Sequence, residues 1–184
     1  MRLGEHPAAA ELDDIDLHLL DLIQEDCRTS LVRLGEQVGL SAPAVLERVK
    51  KLEAAGVVTG YRALVDGRRV GLDITAFIGV IVSHPTLIGG FERQIVALPD
   101  VLECHHVTGE YTLLLKIKTR NTSSLEQLIS QIRSLDGVAR TETMVVLSTH
   151  TERVQLALRP SPSAPAAPAR RARRNGERAQ AGRA

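Results

Sequence analysis

Three basic side chains lie within four residues, Arg48, Lys50 and Lys51, after Ser41 and the small residues Ala42 and Ala44. An arginine can grip the O6 and N7 of guanine with two parallel hydrogen bonds, and lysines pair with phosphates. Ser41 and the free N–H groups of a helix start suit a phosphate too, and alanines permit close approach. The same run also suits a solvated helix face: residues 13–62 hold nine acids against six bases, so no basic footprint accompanies it. Cys104-His105-His106 has the residue types of a metal site. Successive strand residues point to opposite faces, however, so the two histidines do not chelate one ion, and no metal is expected. His106 and Thr108 share a side near Gly109, where contact with a small ligand fits better. Two cysteines are too few for a disulfide scaffold or a cysteine-based zinc module, and Cys27 reads as a spare free thiol. There is no Ser-His-Asp pattern, phosphate loop, G-x-G-x-x-G or HExxH.

The elements that must position these residues follow from periodicity. Ile15, Leu19, Leu22 and Ile23 make one apolar helix face, capped by Asp13 or Asp14. Ser30 caps a second helix with Leu31, Leu34 and Val38 inside, and Gly39 follows it. Ser41 caps a third, with Pro43 in its first turn, Val45, Val49 and Leu52 as its inward stripe and Gly56 at its end. Two short helices, a turn and a longer helix are a helix-turn-helix. Its third helix packs by one stripe and leaves Ala44, Arg48 and Lys51 on the other side for a major groove. Val57–Val65 reads as a strand or connector, and 66–73 as a polar, glycine-containing linker.

The second half reads strand, helix, strand, strand, helix, strand. Thr75–Ser83 is the first strand. A helix carries Leu87, Phe91, Ile95 and Leu98. Strands Val101–Thr108 and Tyr111–Thr119 meet at Gly109-Glu110, a pair suited to a tight type II′ hairpin. A helix with Leu125, Leu128, Ile129, Ile132 and Leu135 inside precedes a strand over Val138–Thr149, and Val154, Leu156 and Leu158 alternate as a short fifth one. βαββαβ with both helices on one face is a ferredoxin-like α+β sandwich. Its other face exposes apolar residues of Ala76–Val82 and Leu113–Leu115, a surface that a second copy of the chain would cover. A symmetric dimer presents two reading helices to a palindromic site with half-sites about 10 bp apart.

Composition sets further limits. Lys plus Arg number 23 and Asp plus Glu 22, for a net charge of +1. Residues 160–184 hold six Arg and one Glu, a net +5 that leaves −4 for residues 1–159. That tail is Pro, Ala and Arg with no Leu, Ile, Val or aromatic, so 159–184 is expected to be a disordered basic extension able to add salt-dependent, non-specific affinity for a polyanion. Two Tyr, two Phe and no Trp argue against a base-stacking single-strand binder. No apolar run approaches the ~18 residues of a membrane span, and the acidic N-terminus is unlike a signal peptide, so a cytoplasmic, nucleoid-associated protein without membrane contact is expected.

Leu40–Asp66 (LSAPAVLERVKKLEAAGVVTGYRALVD) resembles the recognition helix and connector of the Lrp/AsnC (feast/famine) transcriptional regulators. LDDIDLHLLDLIQEDCRTSLVRLGEQVGLS resembles that family's first two helices, Glu103–Ile117 its effector-domain hairpin and Leu135–Leu147 its last strand. The resemblance covers about residues 11–158. It implies a helix-turn-helix DNA-binding domain (11–65), a linker (66–74) and a ferredoxin-like domain (75–158) that forms dimers, and higher oligomers such as octamers. This domain would bind an amino acid or related small molecule between subunits, with no other cofactor. The DNA-reading residues it implies are Ser41, Ala42, Ala44, Arg48 and Lys51, joined by Lys50 as a phosphate contact. The effector residues are Val107, Thr108, Gly109, Glu110 and Tyr111, extended to His106 and Thr112. Many members carry an acid three positions after the hairpin glycine; Thr112 stands there, and a hydroxyl supplies no charge to hold an ammonium group. Two other readings use the same scaffold: a tetrapyrrole decarboxylase employing His105 or His106, and an effector-binding oligomer without DNA activity.

Overall fold

A computed structural model describes residues 9–158 of the chain; the basic tail expected at 159–184 lies outside them. Two compact units appear, residues 9–61 with 154–158 in one and 62–153 in the other.

The first unit holds α1 (Asp14–Glu25), α2 (Leu31–Val38) and α3 (Ala42–Ala54). Each begins on a side-chain cap that the sequence supplies. Asp13 accepts from the Asp16 N–H while the Asp16 carboxylate accepts from the Asp13 N–H, a reciprocal capping box. Ser30 accepts from Arg33 N and Ser41 from Ala44 N. Gly39 ends α2 in the left-handed region at φ 71°. Leu19, Leu34, Val45 and Val49 form the core, with Ile15, Leu22, Ile23, Leu31 and Val38 around it. Gly35 lets the turn between α2 and α3 pack close: a Cβ there would run into the Leu40 carbonyl oxygen. Residues 57–65 form no strand. Tyr61 instead folds back, its hydroxyl donating to Glu53 at 2.8 Å. Burial and that carboxylate push the tyrosine pKa up to about 12. The expected fifth strand is also missing: at 154–158 the chain is held by a side chain, Gln24, which accepts from Leu156 N at 2.8 Å and donates to Leu156 O at 3.2 Å.

The second unit is β1 (Ile74–Val82), α4 (Ile88–Ile95), β2 (Val101–His106), β3 (Leu113–Thr119), α5 (Thr122–Arg133) and β4 (Val138–Val145). Single 3-10 turns precede β1 (Arg68–Val70) and α4 (Pro85–Leu87). The strands form one antiparallel sheet in the order β2-β3-β1-β4, the ferredoxin-like arrangement. Ala76, Ile78, Val80, Leu113, Leu115 and Ile117 face the helices and bury against Phe91, Ile95, Leu125, Leu128 and Ile132. Alternation puts Phe77, Gly79, Ile81, Leu114, Lys116 and Met144 on the opposite face, which neither helix of this unit covers.

The hairpin differs from the tight turn expected at Gly109-Glu110. β2 stops at His106 and β3 starts at Leu113, so residues 107–112 make a six-residue loop. The Val107 N–H donates to Thr112 O (3.2 Å) and the Thr112 N–H to Val80 O (2.9 Å). The loop is therefore closed at its ends and also tied to β1, a long-range constraint that a Gly-X pair does not reveal.

Candidate functional site

On α3, Val45, Val49 and Leu52 turn inward as expected, but Arg48 does not lie opposite them. A helix turns about 100° per residue, which leaves position 48 only about 60° from position 45. The side chain accordingly flanks the buried stripe and reaches α1. A single guanidinium nitrogen, Nη1, donates to Asp16 Oδ1 at 2.6 Å and Asp13 Oδ2 at 2.8 Å. Asp16 is buried, its side chain 5 % exposed, while Arg48 keeps 31 %. The Asp13 and Asp16 carboxylates raise the arginine pKa. Burial opposes ionisation of Asp13, yet the Asp16 N–H and Arg48 hold its carboxyl below the usual range. The expectation of an unengaged guanidinium on the DNA side is thus corrected: Arg48 ties α3 to the N-terminal capping box of α1. Nothing in the linear pattern marks Arg48, 32 residues beyond Asp16, as a partner of the acids at the start of α1.

The remaining α3 candidates stay at the surface. Ser41, Lys50 and Lys51 are exposed, and Ala42 and Ala44 half-buried. Lys50 Nζ lies 3.1 Å from Glu47 Oε1. The Ser41 hydroxyl already accepts from Ala44 N, so it retains its proton to donate.

The loop brings the second set of candidates together. Thr108, Gly109 and Glu110 are exposed, Val107, Tyr111 and Thr112 half-buried. Gly109 has φ 115°. The Tyr111 ring lies against the backbone of Gly79: a Cβ at position 79 would sit 2.5 Å from Tyr111 Cδ1. Arg140 and Glu142, which no sequence pattern marks, join from β4. Arg140 lies 3.7 Å from Glu110 and 3.1 Å from Glu142. Loss of hydration and the Glu142 carboxylate push the Tyr111 hydroxyl above its ordinary range. Thr112 secures the loop to the sheet. Its hydroxyl oxygen accepts from Val82 N at 3.1 Å, where β1–β4 register shifts between Ile81 and Val82. With that acceptor engaged, the hydroxyl can still donate to an acceptor atom of a ligand.

The two histidines diverge as the strand period requires. His105 pairs with Leu114 and His106 with Leu113, residues of opposite sheet faces. His105 Nε2 meets Glu103 at 3.1 Å, and Glu103 meets Lys116 at 3.3 Å. Lys116 also pairs with Glu152 at 2.6 Å. Cys104 packs on the core, where burial raises its thiol pKa. Among the described residues no three His, Cys, Asp or Glu side chains are grouped to hold a metal ion. A polar basin of about 390 Å3 lies at the other end of β3, lined by Asp66, Arg68, Thr75, Lys118, Ser148 and Glu152 among others. It is formed by segments distant in sequence and had no signal in the residue pattern.

Comparison with known proteins assigns both units. Residues 12–53 match the AsnC-type helix-turn-helix domain and residues 75–156 the Lrp/AsnC ligand-binding domain. The HTH-type transcriptional regulator FL11 of Pyrococcus furiosus is 31 % identical over 148 residues, covering 80 % of this chain and 97 % of its own. The leucine-responsive regulatory protein of Rhizobium meliloti is 35 % identical over 151 residues, with the same coverage. Among solved structures, a Neisseria meningitidis transcriptional regulator in complex with L-Met superposes with a TM-score of 0.77 at 31 % identity, covering 80 % of this chain and 97 % of its own. These relatives are named as regulators, and nothing among them supports the tetrapyrrole decarboxylase reading. A helix-turn-helix implies DNA as a partner, a ligand-binding domain implies a small-molecule effector, and no helix among the described residues is long and apolar enough to cross a membrane. With both of its domains matched in the right order, the chain belongs to the Lrp/AsnC family of transcriptional regulators, a family of DNA-binding proteins and not of enzymes.

Proposed function

We propose that the chain reads a specific duplex DNA sequence through α3 and adjusts that reading to an amino acid or related metabolite. In this account residues 11–65 bind DNA, 66–74 link, and 75–158 bind the effector and self-associate. Ser41, Lys50 and Lys51 meet phosphates or base edges, Ala42 and Ala44 give close approach, and Arg48 holds the helix in place. The observation that carries the reading is α3 itself, anchored by Val45, Val49, Leu52 and Arg48 on one flank and unencumbered on the other within its unit.

The effector is proposed to sit at His106–Thr112. An amino acid suits the mixed charge there, with Arg140 beside Glu110 and Glu142. The L-Met complex of the Neisseria relative supports the class of ligand. Self-association is proposed through the helix-free sheet face, where Phe77, Ile81, Leu114 and Met144 are apolar and only partly covered. Dimers, and octamers built from them, would bring two reading helices to one operator. A ligand then changes DNA affinity only by binding two arrangements of the assembly unequally.

The test is binding of the full chain to fragments of its genome, repeated with a panel of amino acids, alongside sedimentation of wild type and Phe77→Asp. Enrichment of a two-fold symmetric motif, altered by one amino acid, and a fall of Phe77→Asp to monomer are expected. Equal retention of scrambled duplex at moderate salt would refute sequence-specific reading.

A further inference from the structure

The side of α3 that points most directly away from its bundle carries an acid. With the inward stripe at Val45, Val49 and Leu52, the 100° helical step, an approximate value, places Glu47 nearly opposite, with Pro43, Lys51 and Lys50 beside it. The Glu47 side chain is 72 % exposed and that of Lys50 58 %, and the two are paired at 3.1 Å. Arg48 is turned away to Asp13 and Asp16. If α3 enters a major groove by its free side, Glu47 leads.

A carboxylate in that position is selective because most of what it meets is repulsive. The major-groove edges of guanine and thymine offer acceptors, N7 and O6 or O4, and two acceptors cannot share a proton. Only the exocyclic amines of cytosine and adenine donate. Adenine sets its amine beside the N7 acceptor, which repels the second carboxylate oxygen, whereas cytosine sets its amine beside a C–H. The neighbouring Lys50 ammonium offsets the acid's charge against the phosphates and can itself take a guanine edge or a phosphate.

We propose that Glu47 is a specificity-determining residue of the reading helix, accepting a hydrogen bond from a cytosine N4 amine in each half-site and rejecting the other bases there by lone-pair repulsion. This rests on the DNA-reading function proposed above. Glutamine is the informative replacement: it keeps the shape of glutamate but both donates and accepts, so it no longer rejects acceptor edges and best matches the N6/N7 edge of adenine.

The experiment is selection from a pool of randomised duplexes with the full-length protein, comparing wild type, Glu47→Gln and Lys50→Ala at one salt concentration. Wild type is expected to show one column per half-site with at least about a tenfold preference for cytosine, the size of one good base contact. In Glu47→Gln that column alone should lose its cytosine preference and move toward adenine. Lys50→Ala should weaken binding while keeping the cytosine column. An unchanged column in Glu47→Gln, beside a clear wild-type motif, overturns the role of Glu47. A wild type that enriches no motif overturns the DNA-reading function instead, so the two failures are distinct. Glu47 is exposed and its ion pair is with Lys50, and a thermal melt of Glu47→Gln matching wild type confirms that the variant is folded.

Discussion

The α3 surface and the 107–112 loop are built in contrary ways. On α3 the candidate residues come from one continuous stretch of helix, and a single distant ion pair, Arg48 with Asp13 and Asp16, sets its attachment. At the loop, groups arrive from three places: the loop itself, the Gly79 backbone of β1, and the side chains of Arg140 and Glu142 on β4. A helix carries its own backbone hydrogen bonds, so it can present a face with little help. A loop cannot, and here its shape depends on Val80, Val82 and Gly79 of the neighbouring strand. One substitution at the attachment of α3 should therefore be felt as lost stability of its unit. Substitutions under the loop should leave the sheet standing and disturb the proposed ligand site.

The largest effect is expected at Arg48. Removing it leaves the buried Asp16 carboxylate facing Asp13 without a cation. A fully buried pair broken on one side costs ~3–5 kcal/mol; with Arg48 keeping 31 % exposure, about 2 kcal/mol is expected for Arg48→Ala, read as a shift in urea midpoint of the helical unit. Its base preference, if DNA binding survives, should be unchanged. A wild-type midpoint together with a changed base at one operator position would show that Arg48 reads DNA after all. Acid should reproduce the loss in wild type. The folded-state pKa of Asp13 is depressed from 3.8, so its contribution is present above that value and is lost as pH falls through the lower folded one. The midpoint of Arg48→Ala should fall less steeply over the same interval.

This same residue marks where the sequence stopped being legible. Helix caps, inward stripes and the succession of helices and strands along the chain are readable because each depends on neighbours within a few residues: Ser30 and Ser41 cap as expected, and the helix-side strand residues form the core. Arg48 was misplaced by treating one helix as two opposed faces, when a residue only about 60° from the core stripe is a flank. The missing strand at 57–65, the six-residue loop and the partners Arg140 and Glu142 depend on contacts between distant segments, to which a linear pattern is blind. The site is thus better written in the helix than in the loop, although the one residue singled out to read guanine is the one the fold had already engaged.

Beneath the loop, Gly79→Ala should have the next largest effect. The added methyl would lie 2.5 Å from the Tyr111 ring, against atoms 2.6 and 2.7 Å away as well, so the ring must move. Overpacking of this kind costs ~1–3 kcal/mol where the neighbour is fixed, and at the smaller end here because Tyr111 is only half-buried. Effector binding, followed by calorimetry with the amino acid that wild type selects, should weaken while the thermal midpoint of the helical unit stays put. If both remain at wild-type values, Tyr111 is not held by its contact with β1, and the contrast between the two regions loses its main support.

Thr112→Val sharpens the contrast at lower cost. Valine keeps the volume and the branched shape but removes the oxygen that accepts from Val82 N at 3.1 Å. The Val82 N–H points to the β3 side, where the β1–β3 pairing ends at Val80 opposite Leu113, so no ladder partner replaces the lost acceptor. One such hydrogen bond contributes ~1 kcal/mol, and Thr112→Ser should restore most of it. Amide hydrogen exchange is the measurement: Val82 should lose protection in the valine variant and recover it in the serine variant, while Ile78 and Leu115 in the buried ladder stay unchanged. Val82 protection that survives Thr112→Val would mean that the loop is secured by its backbone bonds alone, those of Thr112 N to Val80 O and Val107 N to Thr112 O. The threonine in the place of the family's acid would then be available to a ligand without structural penalty.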